Sequence, residues 1–189
     1  MRVRVPQSIF ARARSLTLQV LFVCTGNICR SPTAERLAAA YARQNQISDL
    51  VTASAGTHAV VSHPMHVHAE AALAQLGGES SKFAARQLTR KIASQADLII
   101  TMTRSHRHRV LEIAPNKLSS TFTLTEAALL ATSHGARTIS ELGGLRSHLS
   151  VGDIWDIKDP IGEEPDVFAA VGQQIADLLP PVLELCRPE

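Results

Sequence analysis

No apolar run in this sequence approaches the ~20 residues that a membrane-spanning helix needs, and its start lacks the apolar stretch and small-residue cleavage site of a secretory leader. Charge of one sign is equally scarce. Nineteen Lys and Arg against 17 Asp and Glu leave a formal charge of +2, too little to mark a nucleic-acid-binding protein. Only three cysteines occur, two of them in one loop, which suits thiol chemistry in a reducing compartment rather than a disulfide framework. These absences point to a cytoplasmic protein with neither membrane nor nucleic-acid partner. Internal repeats, low-complexity segments and a second-domain boundary are missing too. At 189 residues, 45% of them apolar, the chain is long enough to bury one real core.

What stands out is Val20 to Glu35, VLFVCTGNICRSPTAE. A buried-type strand, Val20-Leu21-Phe22-Val23, runs into Cys24, then through a short loop into a helix opening at Ser31-Pro32. Gly26 and Asn27 tolerate left-handed backbone angles, so consecutive N–H groups from Thr25 to Arg30, those of Ile28 and Cys29 included, can converge on one anion. Ser31 suits the N-cap and Pro32 the first helical position, aiming a helix N-terminus at the same point. Arg30 adds a bidentate fork for two oxygens. Such a nest is expected to pull the Cys24 pKa from ~8.5 toward roughly 4 to 6 and to stabilise a phosphoryl group in transfer.

Along the chain, residues 1–17 carry Arg2, Arg4, Arg12 and Arg14 without an acid, and are expected to form a basic, poorly ordered extension, with a docking arm or leader as the alternatives. Strands are expected over Leu18–Val23, Val51–Ser54, Ala96–Met102 and Leu118–Phe122. Helices are expected over Pro32–Gln44, Pro64–Leu76, Thr89–Gln95, Arg104–Ala114, Glu126–Thr132 and Val167–Cys186, the last bent or broken at Pro180-Pro181. The alternation implies an α/β fold with a parallel sheet and right-handed crossovers. The fold expected is one domain, 18–189, with a four-stranded parallel sheet in the flavodoxin-like order 2-1-3-4 and helices on both faces. Ligands of such sheets sit at the C-terminal strand ends, where Cys24 lies. Residues 133–152, glycine-containing and weakly patterned, read as a surface insertion that either faces substrate or is simply solvated.

Expelling an alkoxide requires a proton donor. Asp159 is the leading candidate, because Pro160 holds it extended and Gly162 lets the loop turn over a pocket; Asp153 and Asp156 are rivals. Cys29 has Glu35, not Arg, six residues on, so it is either a resolving thiol for oxidised Cys24 or a packing residue. Cys186 belongs to the core. The histidines of HPMHVH (His63, His66, His68) and the basic run Arg104 to Arg109 read as solvated faces, the run also as a docking patch for acidic phosphoprotein surfaces.

CTGNICRSPTAE, SAGT, ADLIITM and the late DPIG, in that order, resemble the low-molecular-weight protein tyrosine phosphatases over about residues 18–186. The resemblance implies Cys24 as nucleophile, Arg30 as holder of the phosphoryl oxygens, Ser31 as stabiliser of the thiolate, and Asp159 as general acid and then base. It further implies that Ser54 supports Asn27 in its strained shape, that a phosphocysteine intermediate forms, and that no metal or organic cofactor takes part. The partner is then a phosphoprotein, with oligomeric state left open.

Three departures bear on the substrate. Phe83 stands where family members commonly place a His that bonds the loop Asn. Ile161 and His58-Ala59-Val60 stand where tyrosine-specific members often carry aromatics, so stacking on an aryl phosphate should be weaker. Finally, CTGN, Thr103 and TFTLTEA resemble the protein-arginine phosphatases of the same fold, which carry Thr where Ile28 stands. Phosphotyrosine leads, with phosphoarginine second. A phosphate-binding pseudo-phosphatase and an arsenate reductase using a small external thiol are the further alternatives; no extra cysteine occurs between Ser80 and Asp97 for a thioredoxin-linked reductase.

Overall fold

The computed structural model describes residues 17–150, 152 and 155–187. Residues 1–16 of the basic extension expected over 1–17, and the rival acid Asp153, lie outside those residues. Strand β1 (Leu18–Cys24) is followed by α1 (Arg30–Gln44), β2 (Leu50–Gly56), α2 (Val67–Gln75), α3 (Arg90–Gln95), β3 (Leu98–Thr101), α4 (Arg104–Ile113), a 3-10 turn (Pro115–Ser120), β4 (Thr121–Thr123), α5 (Leu124–Ser133), α6 (Ile139–Leu145) and α7 (Pro165–Glu184).

The strands form one parallel sheet in the order β2-β1-β3-β4, the α/β arrangement expected from the alternation. Side chains on a strand alternate between faces, and β1 buries both sets. Val20, Phe22 and Cys24 pack with α1, α2, α5 and α7, whereas Leu21 and Val23 pack with residues of α3 and α4. A strand covered twice must be apolar throughout, and that is the physical reason Cys24 arrives at the sheet edge on a rigid support. The chain leaves β1 for β2 on one side and returns to β3 on the other, so the crevice between the β1 and β3 ends is the switch point where ligands of such sheets bind.

Several boundaries differ from expectation. Helix α2 starts at Val67 rather than Pro64, because residues 58–66 are drawn onto the Cys24 loop by His58, Val60 and His66 N–H groups. Helix α1 begins at Arg30 with Cys29 as N-cap, so Ser31 and Pro32 lie inside its first turn. Proline is tolerated there because first-turn N–H groups have no intrahelical partner, and Ser31 spends its hydroxyl elsewhere. Strand β4 is displaced toward Thr123 by the 3-10 turn, and a capping box between Thr123 and Glu126 starts α5 at once. The final helix is unbroken at Pro180-Pro181; buried Leu179, Val182, Leu183 and Cys186 on either side hold it against the core. Within the weakly patterned segment, α6 packs Leu142 inward beside the 3-10 turn. That places it toward the N-terminal end of β4, away from Cys24.

Gly56, at the end of β2, fixes how closely the Cys24 loop approaches. A Cβ there would stand 2.4 Å from the Thr25 carbonyl oxygen and 3.0 Å from Ala59. Gly56→Ala is therefore expected to lower stability by about 1–3 kcal/mol through overpacking, read as a fall in the urea midpoint with an unchanged slope.

Candidate active site

The loop after β1 is turned inside out. The carbonyls of Cys24, Thr25, Gly26 and Ile28 accept the N–H groups of Thr57 (2.9 Å), His58 (3.0 Å), Val60 (3.0 Å) and His66 (2.8 Å). Because each peptide plane holds C=O and N–H on opposite sides, outward carbonyls turn the loop N–H groups toward its concavity, with the N-terminus of α1 behind them.

Asn27 locks this shape. It is fully buried, with φ at 56°. Its Oδ1 accepts the Arg86 N–H at 2.9 Å, and since a backbone N–H can only donate, the amide orientation is fixed. The amide nitrogen then donates to Ser31 Oγ (2.9 Å) and Ser54 Oγ (2.8 Å). Each hydroxyl keeps its own proton to give: Ser54 donates to Glu35 (2.5 Å), and the Cys24 sulfur, 2.9 Å from Ser31 Oγ, is the acceptor within reach of the Ser31 proton. The bond expected to be missing at Phe83 is supplied by the backbone of Arg86, while Phe83 carries the Arg36 guanidinium 5.6 Å over its ring.

Arg30 is 4% exposed. Its Nη1 donates to the Ile157 carbonyl (3.0 Å) and its Nη2 to Asp159 (2.5 Å), whereas its buried Nε has no protein partner among the described residues. Asp159 is about half exposed at the mouth, and Pro160 and Gly162 shape a turn in which its other oxygen accepts the Ile161 N–H. The cleft, about 270 Å³, is lined by Cys24, Thr25, Gly26, Ile28, Cys29, Arg30, His58, Val60, Asp159 and Ile161. Its upper walls are thus one imidazole and aliphatic groups. A larger hollow of about 580 Å³ beside Thr17, Leu18 and Asp97, at the opposite end of the strands, holds no nucleophilic thiol.

The rival acid Asp156 and the second loop thiol take other places in this frame. Asp156 is committed to the start of α4, where it accepts the Arg104 N–H at 2.8 Å and pairs with its guanidinium; it holds the loop rather than facing the cleft. Cys29 is buried, and burial, then the neighbouring Cys24 and Asp159, push its pKa up to about 12, which keeps it a thiol. Cys186 is likewise pushed up to about 12 by burial in the core.

The basic run is not a free positive patch. Arg104 pairs with Asp156, Arg107 with Glu126, and Arg109 and His108 with Glu112. His106 is buried rather than solvated. It is 6% exposed and touches Thr25 and Thr103 from beneath the loop, a role hidden in sequence by the four basic neighbours around it. Of the HPMHVH group, His66 caps α2 and stacks on Phe168 at 4.8 Å. Glu35 and the backbone of Arg86 also escaped sequence reasoning; a carboxylate one turn beyond Ser31 was the available signal for the first.

The sequence profile described as "Low molecular weight phosphotyrosine protein phosphatase" matches residues 19–128, more than half of the chain. The chain belongs to this family. It is 40% identical over 96 residues to the low molecular weight protein-tyrosine-phosphatase Etp of Escherichia coli (strain K12), covering 51% of this chain and 62% of that protein. The shared region is thus under two thirds of that relative. A protein-arginine-phosphatase of Geobacillus stearothermophilus is 29% identical over 171 residues, 90% of this chain and 97% of that one. Among solved structures, a low molecular weight protein tyrosine phosphatase from T. tengcongensis superposes with a TM-score of 0.72 at 27% identity, covering 88% of this chain and 98% of that one. That superposition shows that this chain and the T. tengcongensis phosphatase share one fold.

The raised values at Cys29 and Cys186 set the thiol reactivity. At neutral pH a pKa near 12 leaves a thiol protonated and poorly nucleophilic, so iodoacetamide should modify Cys24 well before Cys29 or Cys186 in the folded protein, as read by peptide mass mapping. Labelling of Cys29 first would contradict this ordering.

Proposed function

We propose that the chain is a cysteine-dependent phosphatase of phosphoproteins that works through a phosphocysteine intermediate. The observation that carries this reading is the convergence of Cys24, the Ser31 hydroxyl, the half-committed Arg30 fork and Asp159 in one cleft. A phosphoryl dianion entering the nest finds the inward N–H groups and the unpartnered Arg30 Nε, and takes over the Nη2 donor that Asp159 holds without substrate. Asp159, released beside that dianion and about half exposed at the mouth, takes up a proton from solvent and is then placed to act on the leaving group.

In the first step the Cys24 sulfur forms a bond to phosphorus as the bond to the leaving oxygen breaks, and protonated Asp159 delivers its proton to that oxygen. In the second, water attacks the phosphocysteine, the Asp159 carboxylate takes its proton, the S–P bond breaks and inorganic phosphate leaves. Thr25, Gly26, Asn27, Ile28, Cys29 and Arg30 hold the equatorial oxygens through their backbone, and Ser31 steadies the departing sulfur.

Phosphotyrosine is the substrate favoured by Ile28 and by the shared family. A specific observation favours phosphoarginine as the second reading: the cleft mouth carries Val60, Ile161 and His58 rather than an aryl-stacking wall, and a protein-arginine-phosphatase aligns over nearly its whole length. Three free cysteines support a reducing, cytoplasmic setting.

The protein is expected to release phosphate from a phosphotyrosine peptide in EDTA. Cys24→Ser should abolish turnover, and Asp159→Asn should slow it about 10²–10⁴-fold, most for poor leaving groups. Ile28→Thr should move the preference toward phosphoarginine. Phosphate binding without release from either substrate would contradict the reading in favour of a binding module, and thiol-dependent arsenite formation would replace it with a reductase.

A further inference from the structure

His106 sits under the loop in a position that catalysis, as described so far, does not use. Its Nε2 lies 2.9 Å from Thr25 Oγ1 and its Nδ1 2.9 Å from Thr103 Oγ1. Thr103 is the N-cap of α4, and its Oγ1 already accepts the His106 backbone N–H at 3.1 Å. Two proton arrangements satisfy these contacts. If Thr25 donated to Nε2 and Nδ1–H to Thr103, the Thr103 hydroxyl would accept twice and its own proton would have no partner in a part-buried site. If instead Thr103 donates to Nδ1, Nε2 carries the ring proton and gives it to Thr25. The one remaining proton is then that of the Thr25 hydroxyl, on an exposed residue that lines the cleft. An unpaired proton costs least where a ligand or water can take it, so the second arrangement is favoured. The ring is neutral, since burial and then the Arg30 charge push its pKa down to about 4.

We propose that His106 is a positioning residue that acts through Thr25, donating from Nε2 so that the Thr25 hydroxyl proton is directed into the cleft as one further donor to the bound phosphoryl group. The inference rests on the phosphatase reading for its consequence, but not for its geometry. Thr25 then contributes a side chain as well as a backbone N–H to oxyanion binding. The family pattern of Cys, five residues and Arg gives no hint of this, because the partner comes from a different strand–helix unit and is embedded in a run of cations.

The first test needs no substrate. In ¹⁵N-labelled protein at neutral pH, the His106 ring should show a protonated Nε2 and an unprotonated Nδ1; the opposite tautomer overturns the proposal. The second is a double-mutant cycle read on calorimetric binding of inorganic phosphate and on kcat/KM for the phosphotyrosine peptide. His106→Phe and Thr25→Val should each weaken phosphate binding about tenfold, the worth of one hydrogen bond to a charged group. The double variant should lose no more than either single one, and His106→Gln and Thr25→Ser should restore most of the loss. Losses that multiply, or that follow the fall in unfolding midpoint and ignore the conservative variants, overturn the proposal and leave His106 a packing residue. If wild type binds phosphate and the cycle is coupled but no phosphoester is hydrolysed, the phosphatase reading fails and the positioning role stands.

Discussion

One buried carboxamide holds the site together. Asn27 occupies a left-handed backbone angle that costs most residues free energy but that Asn tolerates, and both ends of its amide are hydrogen-bonded inside the protein. Each bond fixes the next. The Arg86 N–H sets which end is oxygen, the nitrogen therefore faces Ser31 and Ser54, and the two hydroxyls have only Cys24 and Glu35 left to donate to. In water such a side chain would exchange partners freely. Here the low polarity around it makes any unsatisfied member costly, so the carboxamide has one orientation. The Ser31 hydroxyl beside the Cys24 sulfur is thus held by a side chain that a backbone amide 59 residues away in sequence orients.

The second constraint is competition for Arg30. A guanidinium that is almost wholly buried must be paired, and without substrate its partners are the Ile157 carbonyl and Asp159, both from the loop ahead of α7. That loop is in turn fastened by Asp156 to the start of α4 and by the Ile157 N–H to the Met102 carbonyl. Under the proposed mechanism the same contact that neutralises Arg30 at rest stores the acid within reach of the leaving group. In that reading electrostatics and loop anchoring serve one purpose, because the anchored loop holds one anion on Arg30 until another takes its place.

Much of this was legible in the sequence, because it depends on local signals. The apolar run before Cys24, the left-handed-tolerant Gly26-Asn27 pair and the Asp159-Pro160 dipeptide each state their own backbone requirement, and the alternation of strands and helices states that the sheet is parallel. What was not legible depends on contacts between distant segments. Phe83 read as a missing support for Asn27, yet a backbone N–H, which no sequence pattern reveals, takes the place of a side chain. Pro180-Pro181 read as a bend or a break, yet the helix runs on through them, since burial on both sides outweighs two lost helix bonds. In the sequence Pro160 and Gly162 put Asp159 ahead of Asp156 as the acid, but what Asp156 does instead, holding the start of α4, depends on a contact with Arg104 that no local pattern shows. His106 was camouflaged by its neighbours, since burial is a property of the packed helix and not of the run RSHRHR.

Ser54 offers the most direct measurement of the central claim, because its hydroxyl contacts Asn27 and Glu35 and not the cleft. If the loop is held by the Asn27 network, calorimetric titration with inorganic phosphate should show Ser54→Ala binding about five- to tenfold more weakly than wild type, the loss of about one hydrogen bond transmitted to the nest. An unchanged phosphate affinity in a folded Ser54→Ala variant would contradict the account and place the loop's shape in its backbone alone.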